Sequence, residues 1–150
     1  MPEPTWDPAR FDLPPEERVP QWVLEAPSAL DERMGVVIAE LTPERCVGRA
    51  PVEGNTQPMR MWHGGASGVL VESLASLAAT AHALEMGKVA VGVDLNVTHH
   101  SAVRKGHVTG VATALRRGRS VATYGVQLFD DAHRLVASGR LTCQLVKRPG

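Results

Sequence analysis

The pattern of hydrophobic and polar positions predicts one long helix followed by a strand in the middle of the chain. In residues 63–86, apolar side chains recur at alternating spacings of four and three, which is the period of an α-helix; they are Leu70, Leu74, Leu77, Ala81 and Leu84. Gly87 is positioned to close this helix as a C-cap. In residues 89–98 every second residue is a branched apolar one, which is the period of a β-strand.

Shorter segments on both sides of the helix also have the character of strands. Residues 35–41 and 44–52 predict two strands joined by a turn at Thr42-Pro43, and residues 53–61 predict a loop. Turns at 104–106, 117–119 and 130–132 separate three further strands, 107–115, 120–129 and 134–146. The last strand has inward positions at Leu135, Ala137, Leu141, Cys143 and Leu145. The order predicts an α+β fold in which a curved, mainly antiparallel sheet wraps a single helix.

The N-terminal segment has no such period and is rich in proline. Seven of the eleven prolines lie in residues 1–27, and proline opposes regular helix and sheet. We therefore expect residues 1–30 to form an extended arm, with at most a short helix around residues 19–30. The folded domain is expected to span residues 31–150. Trp6, Phe11 and Trp22 are the side chains that could attach the arm to it.

A second face of the predicted helix consists mostly of small residues: Gly65, Gly68, Glu72, Ala75, Ser76, Ala79 and Ala83. Glu72 is also the only formally charged residue between Met61 and Leu84. A helix without a solvated polar face must be packed against other protein segments on nearly all sides. The small-residue face therefore predicts an interface in a homodimer or homotetramer. A membrane span is the alternative, but Glu72, His63, His82 and several glycines and hydroxyls make insertion costly.

Composition and charge exclude several classes of protein. A chain of 150 residues, 43% hydrophobic and 21% charged, is one globular domain rather than a disordered segment. Sixteen basic and sixteen acidic residues leave no electrostatic footprint for nucleic acid. Cys46 and Cys143 have neither metal-ligand spacing nor a disulfide pattern, and the first residues lack the features of a signal peptide. A reducing cytoplasm is the expected location.

Glu72 is the first candidate for chemistry. A carboxylate in the middle of an apolar helix, with no basic residue one turn away, bears a desolvation cost that proteins tend to accept at functional sites. Ser76, one turn further on, could orient the carboxylate or a water molecule. The alternative is that Glu72 reaches solvent or a polar group of a partner subunit.

The start of the helix is the second candidate. His63-Gly64-Gly65 provides unpaired backbone N–H groups at the positive end of the helix dipole, where a carbonyl oxygen can approach closely. The alternative is a glycine-rich turn that only caps the helix. The combination with an acid two turns further along the same helix favours an oxyanion site.

Other candidates are weaker. Ser67 lies in a near match to the G-x-S-x-G nucleophile motif, but Val69 replaces the last glycine and the helix does not follow a central strand. His99 and His100 are adjacent strand residues, so they point to opposite faces and cannot easily chelate one metal ion. Basic residues in turns could hold phosphates or could simply be solvated; they are Arg104, Lys105, Arg116, Arg117 and Arg119.

Three stretches together resemble one known family. These are the run from Gln57 through His63-Gly64-Gly65 to Ser67, the run from Leu70 to Ser76, and the run from Val91 to His100. They are similar to the hotdog-fold acyl-CoA thioesterases. Within these they are most similar to the PaaI-like and helix-Glu 4-hydroxybenzoyl-CoA branch. The resemblance covers about residues 34–147 and leaves the proline-rich arm outside.

The resemblance implies a six-stranded sheet around the long helix, with protomers that pair through their sheets and dimers that often form tetramers. It implies Glu72 as nucleophile or general base, and the Gly64 amide as the group that polarises the thioester carbonyl. Further implied site residues are Gln57 and His63, which orient the thioester, Ser76 beside Glu72, and His99 near the acyl pocket. Gly65 and Trp62 are expected at the substrate, and Arg119 with Ser120 at the CoA phosphates. In such proteins these groups meet across the dimer interface.

One segment departs from the family pattern. Met59-Arg60-Met61-Trp62 stands where relatives usually have Phe or a small residue and Gly before the histidine, which affects the acyl entrance.

The leading hypothesis is hydrolysis of an aromatic or medium-sized acyl-CoA to acid and CoA, without a metal or redox cofactor. The alternatives are a non-catalytic acyl-CoA binding or sensing module and a purely structural oligomerisation domain. Intact Glu72 and Gln57 argue against the binding module.

Overall fold

Six antiparallel strands form one sheet in the computed structural model, which describes residues 5–150. The bounds of the strands are Val37–Leu41 (β1), Arg45–Pro51 (β2), Lys88–His99 (β3), His107–Arg117 (β4), Val121–Phe129 (β5) and Leu135–Lys147 (β6). They lie side by side in the order β1-β2-β4-β5-β6-β3. Three short helices come first, Pro15–Arg18 (α1), Gln21–Glu25 (α2) and Ala29–Met34 (α3), and the long helix α4 spans Gly64–Leu84. The predicted architecture, one helix wrapped by a curved sheet, is confirmed.

The buried face of α4 differs from the predicted one. Leu70 and Leu74 are buried as expected, but Leu77, Ala81 and Leu84 are only half-buried. The alanines assigned to an interface are instead fully buried inside the single chain, at Ala75, Ala79 and Ala83. The reason is the closeness of the sheet, because small side chains on the helix and glycines on the strands let the two layers approach. A methyl group at Gly48 or Gly110 would collide with Leu74.

The helix also ends earlier than predicted. Its last residue is Leu84, with Glu85 in right-handed helical conformation as the C-cap. Gly87 takes the left-handed conformation (φ +68°) two residues later, where it turns the chain into β3 instead of capping the helix. By length and composition α4 could span a membrane, with a mean hydropathy of 1.2, but it is the core helix of this domain.

Strand β3 lies at an edge of the sheet and contains a bulge at Val93. Its register against β6 shifts between Gly92 and Asp94. Because of the bulge, the apolar residues that alternate in the sequence do not all lie on the same face of the sheet. Val91 is paired with exposed Gln144, whereas Leu95 is paired with buried Leu141. Large apolar side chains remain exposed along this edge, at Val91, Val93 and Leu95.

The N-terminal arm is helical rather than extended, which corrects the prediction. A 3₁₀ turn over Pro8–Asp12 precedes α1, α2 and α3, and the last of these crosses the predicted boundary at residue 30. Prolines are tolerated here because they stand at or just before the first helical position, where no intrahelical N–H bond is lost. The part of the arm in residues 1–4 lies outside the described residues. The division into an arm and a domain stays a prediction.

The arm is attached to the outer surface of the sheet and to its β1 edge. Phe11 is buried with Val47 and Val111, and Trp6 packs against Phe129 with ring centroids 5.6 Å apart. Arg10 Nε donates to the Ala39 carbonyl at 2.8 Å, and Arg18 Nη1 donates to the Ile38 carbonyl at 2.5 Å. Backbone acceptors of β1 are thus satisfied by the arm, and β3 is left as the less protected edge.

Candidate active site

The first turn of α4 presents one backbone donor to an open space. His63 is the N-cap residue, and its Nδ1 accepts a hydrogen bond from the Gly65 amide at 2.8 Å. An imidazole that accepts at Nδ1 carries its proton on Nε2. Among the described residues, no acceptor receives a hydrogen bond from the Gly64 amide. This N–H is available to a ligand carbonyl.

A cleft of about 360 Å³ opens beside this amide. Its lining includes Gln57, Trp62, Gly64 and His99. Gln57 begins a tight loop in which its amide donates to the Met61 carbonyl at 2.8 Å, and its side-chain oxygen accepts from the Met59 amide. The structure thus gathers four predicted site residues around one cleft.

The two adjacent histidines have different partners, and β3 ends at the first of them, His99. The His99 ring lies against Gly64: a methyl group on Gly64 would be 2.9 Å from His99 Nε2. His100 Nε2 is 2.8 Å from Ser138 Oγ, and His100 also lines the cleft. A side chain at position 64 would therefore displace the His99 ring and narrow the approach of a ligand to the Gly64 amide.

Trp62 lines the cleft and hydrogen-bonds to Ser67. The indole Nε1–H donates to Ser67 Oγ at 2.8 Å, and both side chains are buried. A hydroxyl that is fully buried and engaged by an indole is in no position to attack a substrate. This agrees with the prediction that Ser67 is not a nucleophile.

Glu72 lies further along α4, over β3. Its carboxylate rests on Gly92, since a methyl group there would overlap Glu72 Oε1. Ser76 Oγ donates to the same oxygen at 3.3 Å. Burial, and then the negative charge of Glu72, raise the pKa of the neighbouring Cys143 thiol to about 11. Within residues 5–150 no cation forms an ion pair with Glu72. The carboxylate is therefore held by a hydrogen bond without an opposite charge beside it.

The structure does not bring all predicted site residues together in one chain. Glu72 is eight residues from Gly64, which corresponds to about 12 Å along a helix. Arg119 and Ser120 lie near the other end of α4, where Lys88 Nζ donates to the Arg119 carbonyl at 2.5 Å and the Leu145 amide donates to the Ser120 carbonyl at 2.8 Å. One chain therefore holds the predicted site residues in two separate groups, which we call half-sites, and in a distant basic turn.

Sequence reasoning missed two residues that support the candidate site. Gly92 makes room for the carboxylate of Glu72, and its only signal was a glycine inside a strand pattern. Asn55 supports the loop of Gln57: its Nδ2 donates to the carbonyls of Met34 and Pro51 at 2.7 and 2.8 Å, and its own carbonyl accepts from the His63 amide at 2.9 Å. No local pattern marked Asn55.

Comparison with known proteins places the chain in a family. The sequence profile described as Thioesterase superfamily matches residues 59–137, which include Gly64, Glu72 and His99. The chain belongs to this superfamily. A thioesterase is an enzyme that hydrolyses thioesters, and the chain is assigned to this reaction class.

Individual relatives support the assignment. This thioesterase is 40% identical over 120 residues to a Deinococcus radiodurans protein, covering 80% of the chain and 76% of the relative. It is 32% identical over 116 residues to the proofreading thioesterase EntH of Cronobacter sakazakii, covering 77% and 84%. The crystal structure of a Haemophilus influenzae thioesterase superposes with a TM-score of 0.77 at 29% identity, covering 84% and 88%. The hotdog fold implied by the sequence resemblance is thereby confirmed.

Proposed function

We propose that this thioesterase hydrolyses an aromatic or medium-sized acyl-CoA, with Glu72 as the reacting carboxylate, as in the PaaI-like branch. The observation that carries the proposal is the pair of half-sites on α4. The Gly64 amide has no hydrogen-bond acceptor among the described residues and faces a cleft. The Glu72 carboxylate, eight residues further along the helix, has no ion-pair partner among those residues. One can polarise a carbonyl and the other can attack it or activate water.

A second copy of the chain would complete the site. Gly68 lies midway between Gly64 and Glu72, and a methyl group on Gly68 would meet no atom within 4 Å. Two antiparallel α4 helices that cross at Gly68 would place the partner's Glu72 beside Gly64. The exposed apolar edge of β3 would be covered by the same contact. A homodimer, or a homotetramer built from it, is therefore part of the proposal.

The proposed reaction uses few groups. The Gly64 amide donates to the thioester carbonyl oxygen, while Gln57 and His63 Nε2–H orient the thioester. Glu72 either attacks the carbonyl carbon, forms an anhydride and releases the CoA thiolate, or removes a proton from water that attacks in its place. In the first route, water then hydrolyses the anhydride. Ser76 holds the carboxylate in both routes.

We assign roles to the remaining predicted site residues from their positions in the structure. Gly65 fixes the His63 ring, and His99 and Trp62 form walls of the acyl cleft. Arg119 and Ser120 stay predicted phosphate ligands, which would have to reach the substrate from the partner subunit. We place the reaction in the cytoplasm, with neither a nucleic-acid nor a membrane partner, on the two buried free thiols and the balanced charge.

The decisive experiment compares the wild type with Glu72→Gln, using benzoyl-CoA and a thiol reagent that detects released CoA. The amide keeps the shape but removes the charge that attacks the carbonyl or takes a proton, so kcat is expected to fall at least about a hundredfold. Binding of acyl-CoA should persist. Glu72→Asp should also be slow, because the carboxylate is withdrawn by one methylene.

Stability and oligomeric state are measured alongside. If Glu72 had only a structural role, Glu72→Gln would keep its rate, and any loss would follow weakened folding or subunit dissociation. A folded and fully active Glu72→Gln variant would refute the proposed function. A wild type that binds acyl-CoA without hydrolysing any member of an acyl-CoA panel would point to a sensing module instead.

A further inference from the structure

The deepest part of the acyl cleft is formed by a tryptophan. Of the described residues that line this cleft, two are buried, Trp62 with 7% and Val136 with 2% of their surface exposed. The others are half-buried or exposed. Trp62 is the larger of the two buried residues, and we call its indole the floor of the cleft. The depth available to an acyl group therefore depends on where this indole lies.

The structure holds Trp62 at both its backbone and its ring. Its amide donates to the Val103 carbonyl at 2.7 Å, and the residue forms an isolated antiparallel bridge with Thr56. The ring is held by Ser67, whose Oγ accepts a hydrogen bond from the indole Nε1–H at 2.8 Å. A change of the Trp62 rotamer would break this bond inside the hydrophobic core. The floor is therefore fixed in one orientation.

Ser67 is placed for its contact with the indole and not for a contact with substrate. Its side chain is fully buried, and it is not among the described residues that line the cleft. Serine inside a helix ordinarily bonds to the backbone of the preceding turn or points to solvent, whereas Ser67 accepts from a side chain. Loss of either partner would leave the other as a buried polar group without this hydrogen bond. The two side chains therefore act as a pair.

A rigid floor affects which acyl groups fit. The cleft has a volume of about 360 Å³, near the lower end for small-molecule pockets. Attraction by an apolar pocket discriminates only modestly between acyl groups that differ by a methylene. A wall that cannot yield excludes a long chain by steric clash, whereas a wall that can turn admits it. The orientation of Trp62 is thus as important for selection as its size.

We propose that Ser67 determines substrate specificity through Trp62. By holding the indole as the floor of the acyl cleft, it makes the enzyme accept a compact, flat acyl group such as an aryl group and exclude a long straight chain. This inference rests on the proposed thioesterase function and narrows its substrate. An aryl group can also make aromatic contacts with the indole. Ser67 touches no reacting atom, so it is a positioning residue.

The test compares benzoyl-CoA with dodecanoyl-CoA. The wild type should have the higher kcat/KM for benzoyl-CoA. Ser67→Ala frees the indole to turn, and Trp62→Phe removes the N–H and one ring. In both variants the ratio of kcat/KM for dodecanoyl-CoA to that for benzoyl-CoA should rise at least about tenfold, the discrimination that the space of one methylene can provide.

Both variants are expected to fold, because alanine favours the helix and phenylalanine keeps most of the packing; thermal unfolding checks this. A wild type that prefers dodecanoyl-CoA would overturn the proposal. A ratio that stays unchanged in Ser67→Ala would do the same.

The double variant shows whether Ser67 acts through Trp62. In Trp62→Phe no indole N–H is left for the hydroxyl to accept from, so the addition of Ser67→Ala should change the ratio no further. A second rise of the same size would mean that Ser67 acts on the cleft independently of the indole. That result would contradict a positioning role.

Ser73→Ala is the matched control. Ser73 lies on the same helix, and its Oγ donates to Asp31 Oδ1 at 2.6 Å, but it is not among the described residues that line the cleft. The variant removes one hydroxyl hydrogen bond of α4 without a change at Trp62, so the ratio should stay at the wild-type value. An equal rise in Ser73→Ala and Ser67→Ala would mean that any loosening of α4 alters specificity, and the proposal would fail.

A binding measurement separates this inference from the proposed function. S-benzyl-CoA and S-dodecyl-CoA are thioethers that cannot be hydrolysed, and in calorimetry the wild type should bind S-benzyl-CoA more tightly. Ser67→Ala should reduce or reverse this preference. If the wild type hydrolyses benzoyl-CoA but the preference is the same in Ser67→Ala, the role of Ser67 is refuted and the proposed function stands. If the preference depends on Ser67 but no thioester is hydrolysed, the proposed function fails and the role of Ser67 in the cleft stands.

Discussion

Gly92 lacks a side chain at the point where the carboxylate of Glu72 needs the space. A methyl group at this position would overlap Glu72 Oε1, the end of a flexible side chain, so in Gly92→Ala the carboxylate should move and the fold should hold. We expect kcat to fall at least about tenfold, because small displacements of a reacting group are costly. The unfolding temperature should change little.

Gly125→Ala is the control for this prediction. Gly125 lies on β5, and a methyl group there would be 3.7 Å from Leu115, an ordinary contact. Steady-state kinetics on both variants should show a loss in Gly92→Ala alone. Similar rates in the two variants would show that Gly92 does not position Glu72.

Asp130 links stability to pH at the turn before β6. Its side chain is 5% exposed and accepts from the amides of Ala132 and Arg134, each at 2.9 Å, and from Arg134 Nε at 2.7 Å. Burial by itself would raise the pKa of Asp130, but these hydrogen bonds outweigh it, so the pKa is lowered. The stabilisation is therefore present above the pKa of the unfolded state, near 4, and is lost as pH falls through the lower folded value.

Asp130→Asn tests this link. At pH 7 the free energy of unfolding is expected to drop by about 1.5–3 kcal/mol, the worth of hydrogen bonds to a charged group. The difference from wild type should shrink on acidification below about pH 4. Urea titrations at several pH values measure it, and a difference that does not change with pH would contradict the assignment.

At the scale of elements, the arm is expected to contribute to the stability of the sheet. Phe11 is 7% exposed and packs under the guanidinium of Arg49, whose central carbon is 4.2 Å from the ring centroid. Phe11→Ala should lower the free energy of unfolding by about 3 kcal/mol in denaturant titrations. Leu30→Ala, at a position 53% exposed on α3, is the control and should cost well under about 1 kcal/mol. Equal effects would mean that the arm is only loosely attached.

At the scale of the whole molecule, the prediction concerns a shared site. Glu72→Gln and Gln57→Ala should each be nearly inactive, since each lacks one half-site. If the halves belong to different chains, mixing and reannealing the two variants creates heterodimers with one intact site. Activity should then recover to about a quarter of wild type.

Sedimentation of the same samples gives the control. The wild type is expected to be an oligomer at micromolar concentration, and the recovered activity should travel with it. No recovery after proven subunit exchange would place both half-sites of a working centre in one chain.

The sequence by itself determined the element order, the single central helix and the candidate groups on it. Those features are local: periods of 3.6 and 2, turn residues and the short spacing from Gln57 to Ser76 are visible along the chain. The resemblance to hotdog thioesterases used the same local runs. The strands, the turns and the reaction class were therefore predictable.

Only the tertiary structure decided which faces are buried. Ala75, Ala79 and Ala83 are core residues because the sheet lies against them, and the bulge at Val93 shifts the faces of β3 in a way that even alternation conceals. Prolines that suggested an extended arm instead begin its helices. The open space at Gly68, between Gly64 and Glu72 on α4, is also visible only in the structure, because a methyl group there would meet no atom within 4 Å. Packing depends on contacts between residues distant in sequence, which local periodicity does not record.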